Sequence, residues 1–205
     1  MFAKRNIDIR TVVFAEDATA FVVHQSNPLD SIDVGTLAKI LSGEYDNWQK
    51  VATIDRPVTI YGRQSNSGTH SFVQQKSGIR FSRNAKEMNG NAQILEAIRQ
   101  DISGIGYVGA GYLINGASAS GRVKVLKIAA KPGSKAISPL DSIAIQNRRY
   151  FFQRPLYQFI PMTSWEKVQP FLNYEMSPEG KALIRKEGYY NISAPAQNLE
   201  GQKVG

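Results

Sequence analysis

The chain of 205 residues contains no cysteine, which excludes disulfide bonds and thiolate chemistry. Histidine is nearly absent too. His24 and His70 are the two copies, too few for a histidine-rich metal centre. No clustered pattern of Asp and Glu offers a carboxylate metal site in its place. Long apolar runs are missing, and no stretch reaches the roughly 18 residues that suggest a membrane-spanning helix. The opening residues, Met-Phe-Ala-Lys-Arg-Asn-Ile-Asp, lack the apolar core of a secretory signal. Acidic residues are outnumbered, 17 against 25 Lys and Arg, giving a formal net charge of +8. That balance favours acidic partners or small anions. The cations are nevertheless scattered in short pairs, Lys4-Arg5, Arg148-Arg149 and Arg185-Lys186. No zinc-finger, RNP or helix-turn-helix signature accompanies them, so nucleic acid is not an expected partner.

What is present centres on Tyr61-Gly-Arg-Gln-Ser-Asn-Ser-Gly-Thr-His-Ser-Phe72. A short β-like run, Pro57-Val-Thr-Ile-Tyr61, leads into it, and residues 69–75 read as a helix. A strand that turns through Ser and Gly into a helix presents free backbone N–H groups at the positive end of the helix dipole. Such a turn suits an oxyanion. Ser67 and Thr69 add hydroxyls, Gly68 lets a ligand approach the backbone, and Arg63 supplies a permanent charge in fork geometry. The same tripeptide also serves as an ordinary helix cap that binds nothing. The glycine spacing matches neither a Walker loop nor a dinucleotide fingerprint. No nucleophile–base pair or carboxylate dyad emerges, and neither an enzyme nor a cofactor is expected. Ser67 and His70 read as a capping serine and a surface histidine.

Along the chain, residues 11–14 and 19–23 read as strands broken by Ala15-Glu-Asp-Ala18. Residues 34–41 have helical spacing between a capping Asp33 and a terminating Gly43. Trp48 reads as a packing anchor. Residues 91–100 form a helix with Ile94, Leu95 and Ile98 inward, and Ser103-Gly-Ile-Gly-Tyr-Val108 is a strand entered through glycines. Residues 117–121 read as a loop tip, and 122–128 alternate like one half-exposed strand. Tyr150-Phe-Phe and residues 156–160 read as strands flanking Arg154-Pro155. The end is helical, over 165–174 with Pro170 as a bend or start, and then over 177–188. A polar tail follows. Strands alternating with helices predict an α/β fold.

In order and spacing these pieces resemble the phosphate-binding proteins of bacterial phosphate ABC transporters, members of the type II periplasmic binding protein superfamily. The matching segments are Asp17-Ala-Thr-Ala-Phe-Val-Val-His-Gln-Ser-Asn-Pro28, Leu37-Ala-Lys-Ile-Leu-Ser-Gly-Glu-Tyr-Asp-Asn-Trp48, the Arg63 loop, Gly104-Ile-Gly-Tyr-Val108, Arg154-Pro-Leu-Tyr157 and Phe171-Leu-Asn-Tyr-Glu-Met-Ser-Pro-Glu-Gly180 with Gly188-Tyr189. The resemblance implies a periplasmic-binding-protein-like α/β fold in which Arg63, Ser67, Gly68 and Thr69 hold phosphate or a related oxyanion. It implies an extracytoplasmic location and, for a full-length protein, a membrane permease of the ABC type as partner. The chain departs from the pattern at Ser65, where some members carry an acid, and at Ala18, where glycine is usual. The glycine-rich opening of the first lobe has no counterpart. One complete lobe over residues 17–137 is therefore expected, with 1–16 and 138–193 as an incomplete second lobe and 194–205 as the tail. Such a truncated form would bind weakly and leave apolar surface for a second copy or a partner chain. The competing reading is an interaction or scaffolding protein of the same fold, with a vestigial anion site.

Overall fold

The computed structural model describes residues 7–114 and 123–192. The expected loop tip at 117–121 and the polar tail lie outside them. The central element is a strand of 16 residues, β1 (Ile9–His24). The predicted break at residues 15–18 does not occur. Glu16 and Asp17 stay in the ladder because each finds a cation. Glu16, its side chain 2% exposed, accepts from Arg148 Nε at 2.9 Å and from Gln153 Nε2 at 3.3 Å. Asp17 pairs with Arg154 at 2.9 Å. A buried carboxylate is tolerable only with such partners.

The early part of β1 pairs antiparallel with β8 (Gln153–Pro161), with a register shift between Val13 and Ala15. Its last residues pair antiparallel with β5 (Gly104–Gly109) and with β6 (Val123–Val125). β5 in turn lies parallel to β3 (Thr59–Arg63), which is parallel to β4 (Lys86–Met88). One strand thus carries two neighbourhoods of sheet. A small separate sheet pairs β2 (Ser31–Asp33) with β7 (Lys127–Ala129). The alternating run at 122–128 is accordingly two strands. Leu126 donates its N–H to the Phe21 carbonyl, and the chain changes partner there.

The helices begin and end where caps dictate. In α1 (Val34–Ser42), Asp33 Oδ1 accepts from the Thr36 N–H at 3.0 Å, and Gly43 closes the helix at φ 82°, a conformation glycine adopts without strain. α1 buries Leu37, Ile40 and Leu41, and α3 (Asn91–Gln100) buries Ile94, Leu95 and Ile98. Phe21 packs edge-on against Phe152 at 4.7 Å, and Trp48, fully buried, donates to the Ser103 carbonyl.

Two readings of the final third need correction. Tyr150-Phe-Phe is a turn leading into β8, and β8 runs straight through Arg154 and Pro155. The proline is accommodated because β8 bonds β1 alone among the described strands, so its outer side needs no N–H donor. α6 (Trp165–Met176) contains Pro170, and α7 (Pro178–Lys186) starts with a proline behind the capping Ser177. A last short strand, β9 (Tyr190–Asn191), pairs with Ala15 and Glu16 of β1. Between α7 and β9, Gly188 (φ 88°) meets the backbone of Gly111 in α4 (Ala110–Ile114), and a Cβ on Gly111 would collide with the Gly188 carbonyl.

Candidate functional site

The loop that follows β3 opens α2 (Gly68–Ser77). Ser67 sits at the capping position with extended backbone, yet its side chain makes no capping hydrogen bond. α1, α5 (Ser142–Gln146) and α7 are capped by Asp33, Asp141 and Ser177. α3 follows Gly90, which has no side chain to cap with. The first turns of α2 and α3, like that of α6, receive no hydrogen bond from a capping side chain, and each carries the positive end of a helix dipole. A Cβ on Gly68 would meet no protein atom within 4 Å. Nothing in the protein itself requires glycine there, and the space before α2 is open.

Arg63 ends β3 between these two helix starts. With Ser65 in place of an acid, its orienting partner is Asn91 at the start of α3, which accepts from Arg63 Nη1 at 3.3 Å. Its Nε is buried without any hydrogen-bond partner. A buried guanidinium N–H left unpaired is costly, and an arriving acceptor would relieve that cost. The backbone of Arg63 is held as firmly. Its N–H donates to the Tyr107 hydroxyl at 3.0 Å, and its carbonyl lies 3.2 Å from His70 Nδ1. The Tyr107 hydroxyl lies at the same 3.2 Å from Nδ1, and the ring's tautomer sets which of the two it bonds. His70 is therefore no surface histidine: its ring packs on Phe81 at 4.5 Å, and it fixes the end of β3. Burial pushes the Tyr107 hydroxyl up to about 12, so it remains protonated at neutral pH. His24 is buried, and its Nδ1 accepts from the Ser26 N–H.

Thr69 and Asn91 line a cleft of about 290 Å³ together with Arg154, Asp17, Glu187 and Tyr189. The structure thus brings Thr69 together with residues from distant parts of the chain, while Arg63 bonds Asn91 of that cleft and itself lines a second cleft with His70 and Tyr107. Arg154, Asn91 and His70 were missed as site residues by the sequence reading. Arg154 could have been suspected as a charge inside an aromatic-rich strand; Asn91 carries no local signal. Burial raises the Asp17 carboxyl above its ordinary value, against the lowering pull of Arg154. Among the described residues no group of three or more His, Asp or Glu is placed to hold a metal ion, and no helix is long and apolar enough to cross a membrane.

Comparison with known proteins follows the same outline. The chain is 27% identical to the phosphate-binding protein PstS of Pseudomonas aeruginosa over 217 aligned positions, covering 95% of this chain and 64% of that protein. It is 26% identical to the protein SphX of Synechococcus elongatus, covering 98% of this chain and 61% of that one. The chain thus spans less than two thirds of the length of the curated relatives it matches. Among solved structures, PstS from Borrelia burgdorferi superposes with a TM-score of 0.72 at 23% identity, over 91% of this chain and 73% of that one. A phosphate ABC transporter substrate-binding protein from Clostridium perfringens, solved with bound phosphate, gives 0.71 at 22% identity, over 90% and 72%. These structures share the fold of this chain. The family model described as a PBP superfamily domain matches residues 1–179, and the chain belongs to that superfamily.

Proposed function

We propose that the start of α2 binds phosphate or a related tetrahedral oxyanion through Arg63, Ser67, Gly68 and Thr69. In this reading the chain is the solute-binding component of ABC-type uptake outside the cytoplasmic membrane, and it hands its ligand to a permease. Residues 17–137 act as the anion-binding lobe, and 138–192 with the start of β1 belong to the other lobe. One observation carries the reading: a helix start without a side-chain cap lies beside an arginine whose buried Nε has no partner. Both features are unfavourable in the protein alone, and an oxyanion is a partner that suits each of them. The names of the relatives from Pseudomonas and Clostridium, both describing phosphate binders, support the choice of ligand.

Each charge-assisted hydrogen bond contributes about 1.5–3 kcal/mol. Losing the two that one arginine can make would weaken binding roughly 10²–10⁴-fold. The test is titration with inorganic phosphate followed by NMR. Amides of residues 62–72 shift in the wild type and stay still in Arg63→Ala, whereas Lys50→Ala responds as the wild type does. Equal responses from the two variants would reduce the loop to a helix start.

The interaction-protein reading has one observation in its favour. The second cleft, of about 340 Å³, is lined by Arg63 together with Arg80, Arg83 and Lys86, with Glu87 as the acid among them. A protein with an acidic surface is the partner it suits. Retention of such a protein with no response to phosphate would favour it.

A further inference from the structure

Arg154 lies in β8, far from the Arg63 loop in sequence, yet its guanidinium reaches the start of α2. Nε and Nη2 both donate to Asp17 Oδ2, at 3.1 and 2.9 Å. Nη1 donates to the Gly68 carbonyl at 3.2 Å. The flat group lies 5.0 Å from the centre of the Phe72 ring. Asp17 faces Arg154 across the β1–β8 ladder, so the ion pair is built into the strand register. The plane of the guanidinium is thus fixed by a carboxylate, a carbonyl and an aromatic face.

Arginine has five N–H donors. Three are spent on the contacts named above, and two remain. A third of the side chain is exposed (33%), so those two are not sealed in the protein. The residue lines the same cleft as Thr69 and Asn91. We infer that Arg154 is a second anion-contacting arginine, held in place by Asp17 and offering its two unspent N–H groups to the oxyanion at the start of α2. The inference rests on the reading proposed above and adds a wall to that site. A fork with a fixed plane gives direction as well as charge, which lysine cannot reproduce. Glu187 lines the cleft as well. Its charge opposes an anion there, so its removal has the opposite sign.

The experiment titrates inorganic phosphate into the protein with ¹⁵N-labelled arginine, and reads the Nε and Nη resonances of Arg154 beside the amides of residues 62–72. In the wild type the Arg154 resonances shift along the same binding curve as the loop amides. Arg154→Lys weakens binding about tenfold, the effect of roughly one lost hydrogen bond to a charged group. Glu187→Gln strengthens it. Arg154→Ala risks leaving Asp17 buried and unpaired, so Asp17→Asn with Arg154→Gln serves as the neutral pair. It should melt cooperatively and bind at least tenfold more weakly. Asp17→Asn alone broadens the Arg154 Nε resonance and weakens binding several-fold, as expected of a positioning residue. If the loop amides shift while Arg154 stays silent and Arg154→Lys binds like the wild type, the inference falls and the Arg63 reading stands. If neither responds, both fall.

Discussion

The helices on the β5 side of the molecule and those on the β8 side do very different amounts of packing. α1 and α3 each bury three large aliphatic side chains. α6, with twelve residues, has none fully buried, and α7 buries Gly180 alone. The strands repeat the contrast. All but the last residue of β5 are buried, whereas Tyr157 and Phe159 in β8 are exposed, Phe159 by 65%. Phe171, Tyr174 and Leu183 on the final helices are exposed as well. The lesson concerns where stability resides. The β5 side has the closed two-layer packing of a self-sufficient core, while the β8 side is a sheet and two helices with an open face. Both share β1, so the weaker side is held largely by its ladder to the stronger one.

Core truncation tests this most severely. Phe21→Ala removes a ring that packs against Phe152 and Tyr107, and should cost about 3–5 kcal/mol in urea unfolding. Phe171→Ala, of the same chemistry on an exposed helix, should change stability by roughly 0.5 kcal/mol or less. Comparable losses would erase the distinction between the two sides. Next in size is Arg148→Ala, which leaves the buried Glu16 with Gln153 alone and should cost about 1–3 kcal/mol, the arginine itself being 58% exposed. Water entering along the exposed arginine track would bring the loss lower. A value near zero would mean that Gln153 alone satisfies Glu16.

Several elements of the strong side were legible from sequence, and the reason is locality. α3 and β5 carry their own periodicity, and α1 its own cap and stop. The strand-to-helix turn from Arg63 to Thr69 was legible as structure because its residues are contiguous. β1 was misread at Glu16 and Asp17 because the cations that permit them, Arg148 and Arg154, lie more than 130 positions away. The same distance hid Arg154 as a member of the cleft. His70 was read as a surface residue because its partners, Phe81 and Tyr107, come from a later loop and a neighbouring strand.

A smaller effect probes the joint between the two sides. Burial raises the Asp17 carboxyl above its ordinary 3.8. The folded state therefore holds that proton at pH values where the unfolded chain has released it. Its contribution to stability is fully present below 3.8 and is lost as the pH rises through the folded value. The stability of the wild type minus that of Asp17→Asn should accordingly fall as the pH rises through this window, read by melting temperature. A rising difference would mean that Arg154 outweighs desolvation. The smallest effect concerns the open face. Tyr157→Ser with Phe159→Ser should leave unfolding nearly unchanged and reduce self-association in sedimentation at high concentration. Unaltered sedimentation would show that this face stays solvated.

The meeting of Gly111 with Gly188 has a consequence for how this sequence can change. Where side chains touch, a larger residue on one side can be offset by a smaller one on the other. Here backbone touches backbone, and neither position has anything left to give up. A single step to alanine at 111 strikes the Gly188 carbonyl, and alanine at 188 would in addition have to adopt φ 88°. No exchange between the two residues can compensate. The two positions form a closed pair in sequence space, from which the chain departs only by moving the turn after α7 away from α4.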